Sequence, residues 1–147
     1  MMRHHLILRV VTKMLVGTII LFAFYVQFHG DFSPGGGFQA GVIMAVAFII
    51  YGVVFGLDEV QQVFPAWIVH KLLALGVLIY AGTGFVSLFL GYSFLDYGAF
   101  TPAHPVHGQH YGILAVELGV GVTVTGVMVA VYYAFAGRTP QLSDEEW

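Results

Sequence analysis

The sequence predicts an all-α, polytopic membrane protein with four transmembrane helices and both termini in the cytoplasm. Three observations carry this reading. Of 147 residues, 59% are hydrophobic and 9% charged, with a mean hydropathy of +0.86, whereas a soluble domain holds about a quarter charged residues. The apolar residues gather in long runs, each near the roughly 20 residues that a helix needs to cross a bilayer core of about 30 Å. The Lys and Arg residues fall only at alternate ends of those runs. Because the runs are continuous rather than alternating, a porin-type barrel is excluded.

The first helix is expected over about 10–28, where the only charge is Lys13 near the start. Lys13 is expected to snorkel toward the cytoplasmic interface. The basic-then-apolar beginning has the shape of a signal peptide, but no small-residue cleavage site follows Phe28, so the segment is read as a retained helix. The second helix, about 38–57, carries no charge and little polarity beyond Gln39. Gly37, Gly41 and Ala45 step by four within it, and Gly52 and Gly56 step by four again. In lipid such small residues let helix backbones approach closely. They serve either packing within the chain or docking of helices from other proteins.

The third helix, about 72–95, is long enough to cross with some tilt and is loosened by Gly82 and Gly84. The fourth, about 111–135, is apolar except for Glu117 and two threonines, and repeats the small-residue step at Gly126 and Ala130. No repeat or linker divides the chain, so residues 1–147 are read as a single domain with a short solvated acidic tail at Asp144, Glu145 and Glu146.

Orientation follows from charge. Arg3, Arg9, Lys13, Lys71 and Arg138 all fall on one side of a four-span layout, and the 29–37 and 96–110 connections on the other side hold no Lys or Arg. The positive-inside rule then makes both termini cytoplasmic. Trp67, Tyr132 and Tyr133 are expected as interfacial anchors. The net charge of −3 and the scattered basic residues argue against nucleic-acid binding. With no cysteine, disulfides, thiolate metal sites and Cys nucleophiles are excluded too. Nothing resembles a nucleotide site, so no cofactor is expected and the energy source is an ion gradient or a redox partner.

Glu117 is the only carboxylate inside an apolar run, roughly 9 Å past Tyr111 at about 1.5 Å per residue. Intramembrane carboxylates face cavities or partners and often belong to proton or ion routes; the competing reading is a Glu that fixes helix packing. His104, His107 and His110 step by three in the last outer connection. They are weak metal candidates, because Pro105 and Gly108 argue against one helical face and no Cys or carboxylate adjoins them. Solvated loop histidines, or protonatable groups at an ion entrance, are the other readings. No metal site is expected.

The richest segment is His29-Gly30-Asp31-Phe32-Ser33-Pro34-Gly35-Gly36-Gly37-Phe38-Gln39-Ala40-Gly41. Asp31 or Ser33 can cap the second helix, and Pro34 suits its first turn. Three consecutive glycines permit positive φ or a close backbone pass. Exposed amides at a helix start can face an anion or a polarised water. The segment is either a tight packing hairpin or a rigid turn beside an ion path, with Glu117, Asp31 and His29 as pathway candidates.

Pro34-Gly35-Gly36-Gly37-Phe38, preceded by His29-Gly30 and followed by Gly41, resembles the signature of the MnhB/MrpB subunits of multisubunit Mrp-type cation/proton antiporters. The resemblance covers almost the whole chain, including Glu117-Leu118-Gly119-Val120. It implies a small, cofactor-free subunit of a prokaryotic inner-membrane assembly that exchanges Na+ for H+, a secondary transporter rather than an enzyme. Its partners would be the other Mrp-type antiporter subunits and the lipid bilayer, with proton pumping mainly in the larger subunits and the small ones forming or bracing the ion path. Pro34, Gly35, Gly36, Gly37 and Phe38 carry over as motif residues, and Glu117 beside them. Asp31 and the His104–His110 connection depart from the common pattern. Related subunits occur in membrane-bound hydrogenase and sulfur-reductase complexes, so a purely structural role in such a respiratory complex is the alternative.

Overall fold

A computed structural model describes residues 6–30 and 34–138. It contains helices α1 (Leu6–Phe28), α2 (Gly37–Phe55), α3 (Leu57–Val63), α4 (Ala66–Phe89) and α5 (Pro105–Ala136), with one 3-10 turn at Tyr97–Phe100. Four of these, all but α3, are long and apolar enough to cross a membrane.

The helix limits differ from the sequence expectation for identifiable reasons. Arg9 does not delay α1, which already begins at Leu6. Gly56, at φ +108°, ends α2 and turns the chain into α3, whose first turn holds Asp58 and Glu59. Acidic side chains there complement the positive end of the helix. Lys71 was expected to mark a boundary, yet α4 begins at Ala66 after Pro65 and carries Lys71 inside it. The Lys71 ammonium lies 4.7 Å from the centre of the Trp67 ring, a cation–π contact that lets a charge sit in an otherwise apolar helix. Pro105 and Gly108 do not break the last helix either. Pro105 opens α5, where its fixed φ is already helical and its missing N–H costs nothing.

The parallel pair α2–α5 forms the centre, with Gly37, Gly41 and Gly52 of α2 meeting Glu117, Gly121 and Tyr132 of α5 in the same order, and α1 packs antiparallel on α2 and α4 antiparallel on α5. No substantial packing joins α1 to α4 among the described residues, so the four long helices stand in a row rather than a closed bundle. Small residues set the crossings. A Cβ added to Gly41 would stand 2.7 Å from the Gly121 carbonyl oxygen, and one on Gly119 would stand 2.9 Å from that of Gly76. Gly84 receives the Phe94 ring, whereas Gly82 faces open space.

A dry core of Ala45, Val60, Val69, Val129 and Tyr133 fills the end of the molecule near α3. The Tyr133 hydroxyl donates to the Phe64 carbonyl at 2.6 Å. Tyr133 is therefore buried, not the interfacial anchor the sequence led one to expect, while Trp67 is exposed. At this same end the Arg9 guanidinium and the Lys13 ammonium lie 5.2 Å and 5.5 Å from the centre of the Phe55 ring. The alternating direction of successive long helices thus gathers Arg9, Lys13, Lys71 and Arg138 at one end; Arg3 lies outside the described residues. The other end is formed by the turn between α1 and α2 and the 90–104 connection.

Candidate functional site: a glycine hairpin closed on Glu117

After α1 ends at Phe28, the chain turns through His29 and Gly30 and returns through Pro34, Gly35 and Gly36. Asp31 and Ser33 lie outside the described residues. The residue at the N-cap of α2 is Gly36, at φ +131° and ψ 179°, and as a glycine it supplies no side-chain cap. Pro34 consequently precedes the helix instead of occupying its first turn. The positive φ of Gly36 is a conformation that only glycine adopts at low cost.

On the facing helix α5, half-buried Glu117 meets this hairpin with both its carboxylate and its main chain. A Cβ on Gly30 would stand 2.9 Å from Glu117 Oε2, and a Cβ on Gly36 would stand 3.2 Å from Oε1. A Cβ on Gly37 would collide with the Glu117 main-chain oxygen. A side chain at Gly30 or Gly36 would press on the carboxylate, and one at Gly37 would press on the α5 backbone itself. The carboxylate rests at the start of α2, where the helix dipole favours negative charge by about 0.3–1 kcal/mol.

The same contact fixes the depth of Glu117. It lies about 18 Å along α5 from Pro105 but level with the first residue of α2, which is about 28 Å long at about 1.5 Å per residue. That length is close to a bilayer core of about 30 Å, and the first turns of α5 extend beyond the start of α2. There the 90–104 connection covers them: the Tyr97 ring packs on Gly112, and the Tyr97 carbonyl on Gly108. Asp96 Oδ1 accepts a hydrogen bond from the Gly98 amide at 3.1 Å and holds the turn. Burial, with Tyr80 adding to it, pushes the Tyr97 hydroxyl above its ordinary pKa.

The remaining candidates distribute as follows. The His29 ring stacks on exposed Tyr25 with centroids 4.8 Å apart, one residue before Gly30 in the turn. Phe38, the last motif residue, is exposed. His104 stands at the N-cap of α5, its ring edge-to-face with His107 at 6.0 Å, while His110 lies 5.9 Å from Tyr111. All three are exposed, and no group of three His, Cys, Asp or Glu side chains that could hold a metal ion occurs among the described residues.

Two polar residues of the interior carried too weak a signal to be singled out from sequence. Gln27 ends α1 on its inner face and is 7% exposed, with its Oε1 against α5 at Gly121. Thr125 donates to the Gly121 carbonyl at 2.8 Å and the Gly41 carbonyl at 3.2 Å. The i, i+4 spacing of Glu117, Gly121 and Thr125 on one face of α5 was the available clue.

The family profile described as "Domain related to MnhB subunit of Na+/H+ antiporter" matches residues 7–130. The chain is 37% identical over 139 residues to antiporter subunit mnhB2 of Staphylococcus haemolyticus, covering 93% of this chain and 98% of that protein. It is 35% identical over the same span to antiporter subunit mnhB2 of Staphylococcus aureus strain Newman. The matched stretch contains all four long helices up to the last turns of α5, and with them both halves of the pocket around Glu117. The chain belongs to the MnhB family.

Proposed function

We propose that the chain is the B subunit of a multisubunit monovalent cation (Na+)/proton antiporter, and that the hairpin-enclosed Glu117 carboxylate forms part of its ion path. The observation that carries this reading is the enclosure itself: Gly30 and Gly36 leave the Glu117 oxygens flanked by backbone, a carboxylate held at the hairpin end of the α2–α5 pair where a proton or a cation from the outer side can reach it. His29 and Asp31 belong to the same turn and are proposed to line its mouth. The relatives' description as antiporter subunits supports the assignment. The basic end of the molecule supports both termini lying in the cytoplasm, in the inner membrane of a prokaryote.

The row of helices leaves α1 and α4 with broad exposed apolar faces, which suits lipid and the other Mrp-type subunits as neighbours. The competing reading is a purely structural subunit, in an antiporter or in a hydrogenase-type respiratory complex; the collision of a Gly37 side chain with the Glu117 main chain favours a bracing role for that contact.

Glu117→Gln in the assembled complex separates the two readings. Cation-dependent proton release from inverted vesicles is expected to fall about tenfold or more, as when a proton-transferring group is removed, with assembly intact. Unchanged antiport would assign Glu117 to packing alone. Hydrogenase subunits co-purifying in mild detergent would transfer the chain to the respiratory alternative.

A further inference from the structure

We infer that Gln27 and Thr125 hold buried water on the inward side of Glu117. A cavity of about 310 Å³ lies on one face of the α2–α5 pair, walled by Gln27 of α1, Gly41 and Phe48 of α2, Phe64, and Gly121 and Thr125 of α5. Its lining is mostly apolar, and Gln27 and Thr125 are its polar side chains. The Gln27 side-chain nitrogen Nε2 is buried and finds no acceptor among the described residues. A buried donor without an acceptor is destabilising out of proportion to its size. A lipid chain entering the cavity brings no acceptor. Water does, and a water needs only about 10–15 Å³ of such space together with two to four polar partners.

Candidate partners line the cavity: Gln27 Nε2 can donate and the Thr125 hydroxyl oxygen can accept, and the Gly37 carbonyl oxygen lies beside Gln27 Oε1, the two at 3.2 Å and 2.5 Å from the position of a Cβ on Gly121. The apolar remainder of the cavity stays dry, as apolar cavities do. Gly121 and Thr125 follow Glu117 by one and two turns of α5, so the water extends the polar column roughly 6–12 Å inward from the carboxylate. Val129, one turn further on, is fully buried in the dry core, and the column stops there. Its use in transport rests on the reading of Glu117 as part of the ion path: the water lies inward of that carboxylate and the polar column ends at Val129, so proton exchange at Glu117 opens toward the hairpin end of the molecule. Gln27 is a positioning residue in this arrangement.

The test is a cryo-EM map of the assembled wild-type complex at a resolution that shows ordered water. The expected result is a compact density about 2.7–3.2 Å from Gln27 Nε2. A partner side chain or lipid tail filling that end of the cavity, or an amide turned to bond the Gly37 carbonyl directly, would overturn the inference. Gln27→Leu, with assembly verified, is expected to remove the density and to shift the pH profile of antiport while leaving transport measurable; an unshifted profile would overturn the link to Glu117. Should Gln27→Leu fail to assemble, the wild-type density still decides. Water present with antiport unaffected by Glu117→Gln would retain the site and end the pathway reading. Water absent with antiport lost in Glu117→Gln would do the reverse.

Discussion

Glu117 of α5 and Gly30 of the turn after α1 are fitted to one another: a single methyl group on Gly30 would stand 2.9 Å from Glu117 Oε2. The atom it would displace is the end of a flexible side chain, so Gly30→Ala is expected to fold and assemble while pushing the carboxylate off its position. An off-rotamer side chain stores about 0.5–1.5 kcal/mol, and the expected effect is a roughly three- to tenfold loss of antiport at unchanged subunit content, measured in the same vesicles. Normal antiport in this variant would mean that the carboxylate position is immaterial.

Gly37 meets backbone instead, and its substitution should act on stability. Gly37→Ala places a Cβ against the Glu117 main-chain oxygen, which can yield only if α2 and α5 move apart. Overpacking of this kind costs about 1–3 kcal/mol, read as a lower melting temperature or as loss of the subunit from the detergent-extracted complex. Gly82→Ala is the control: nothing lies within 4 Å of a Cβ there. It is expected to be neutral or to stabilise by up to about 1 kcal/mol through helix propensity.

Tyr133→Phe removes the hydroxyl that reaches the Phe64 carbonyl at the far end of the molecule from Glu117. Stability should fall by about 0.5–1.5 kcal/mol, with antiport per assembled complex unchanged. A change in transport rate without a change in stability would place the α3 end in the transport cycle.

Because the chain contains no cysteine, single introduced cysteines report topology without background. Val106→Cys, at an exposed position near the start of α5, is expected to react with a membrane-impermeant maleimide added to whole cells. Arg138→Cys is expected to react only after permeabilisation. The opposite pattern would invert the proposed orientation.

Scarcity made part of this site readable in the sequence. Glu117 stood out as the one carboxylate in an apolar run, and the glycine triplet as a backbone demanding an unusual path. Their meeting was not readable, because it depends on the crossing of α2 over α5, set by the contact of Gly41 with the Gly121 carbonyl, and no one-dimensional pattern encodes that contact. Gln27 looked like an ordinary polar residue at a helix end; only the approach of α5 turned it inward. The helix limits moved wherever a residue was read as a stop that the helix can accept, as with Lys71 folded over Trp67 and Pro105 opening α5. Tyr133 was misplaced for the converse reason: a tyrosine near a membrane exit has two homes, and the Phe64 carbonyl supplied the interior one.

The row order α1–α2–α5–α4 also bears on how the protein is made. Two helical hairpins, α1 with α2 and α4 with α5, can each settle in the bilayer as a unit before they join. Gly30, Gly36 and Gln27 belong to the first, and Glu117 and Thr125 to the second. Neither hairpin contains the pocket alone. The carboxylate is enclosed only when the two hairpins dock, so either hairpin alone leaves the polar face of α5 or its glycine cover open to the surroundings.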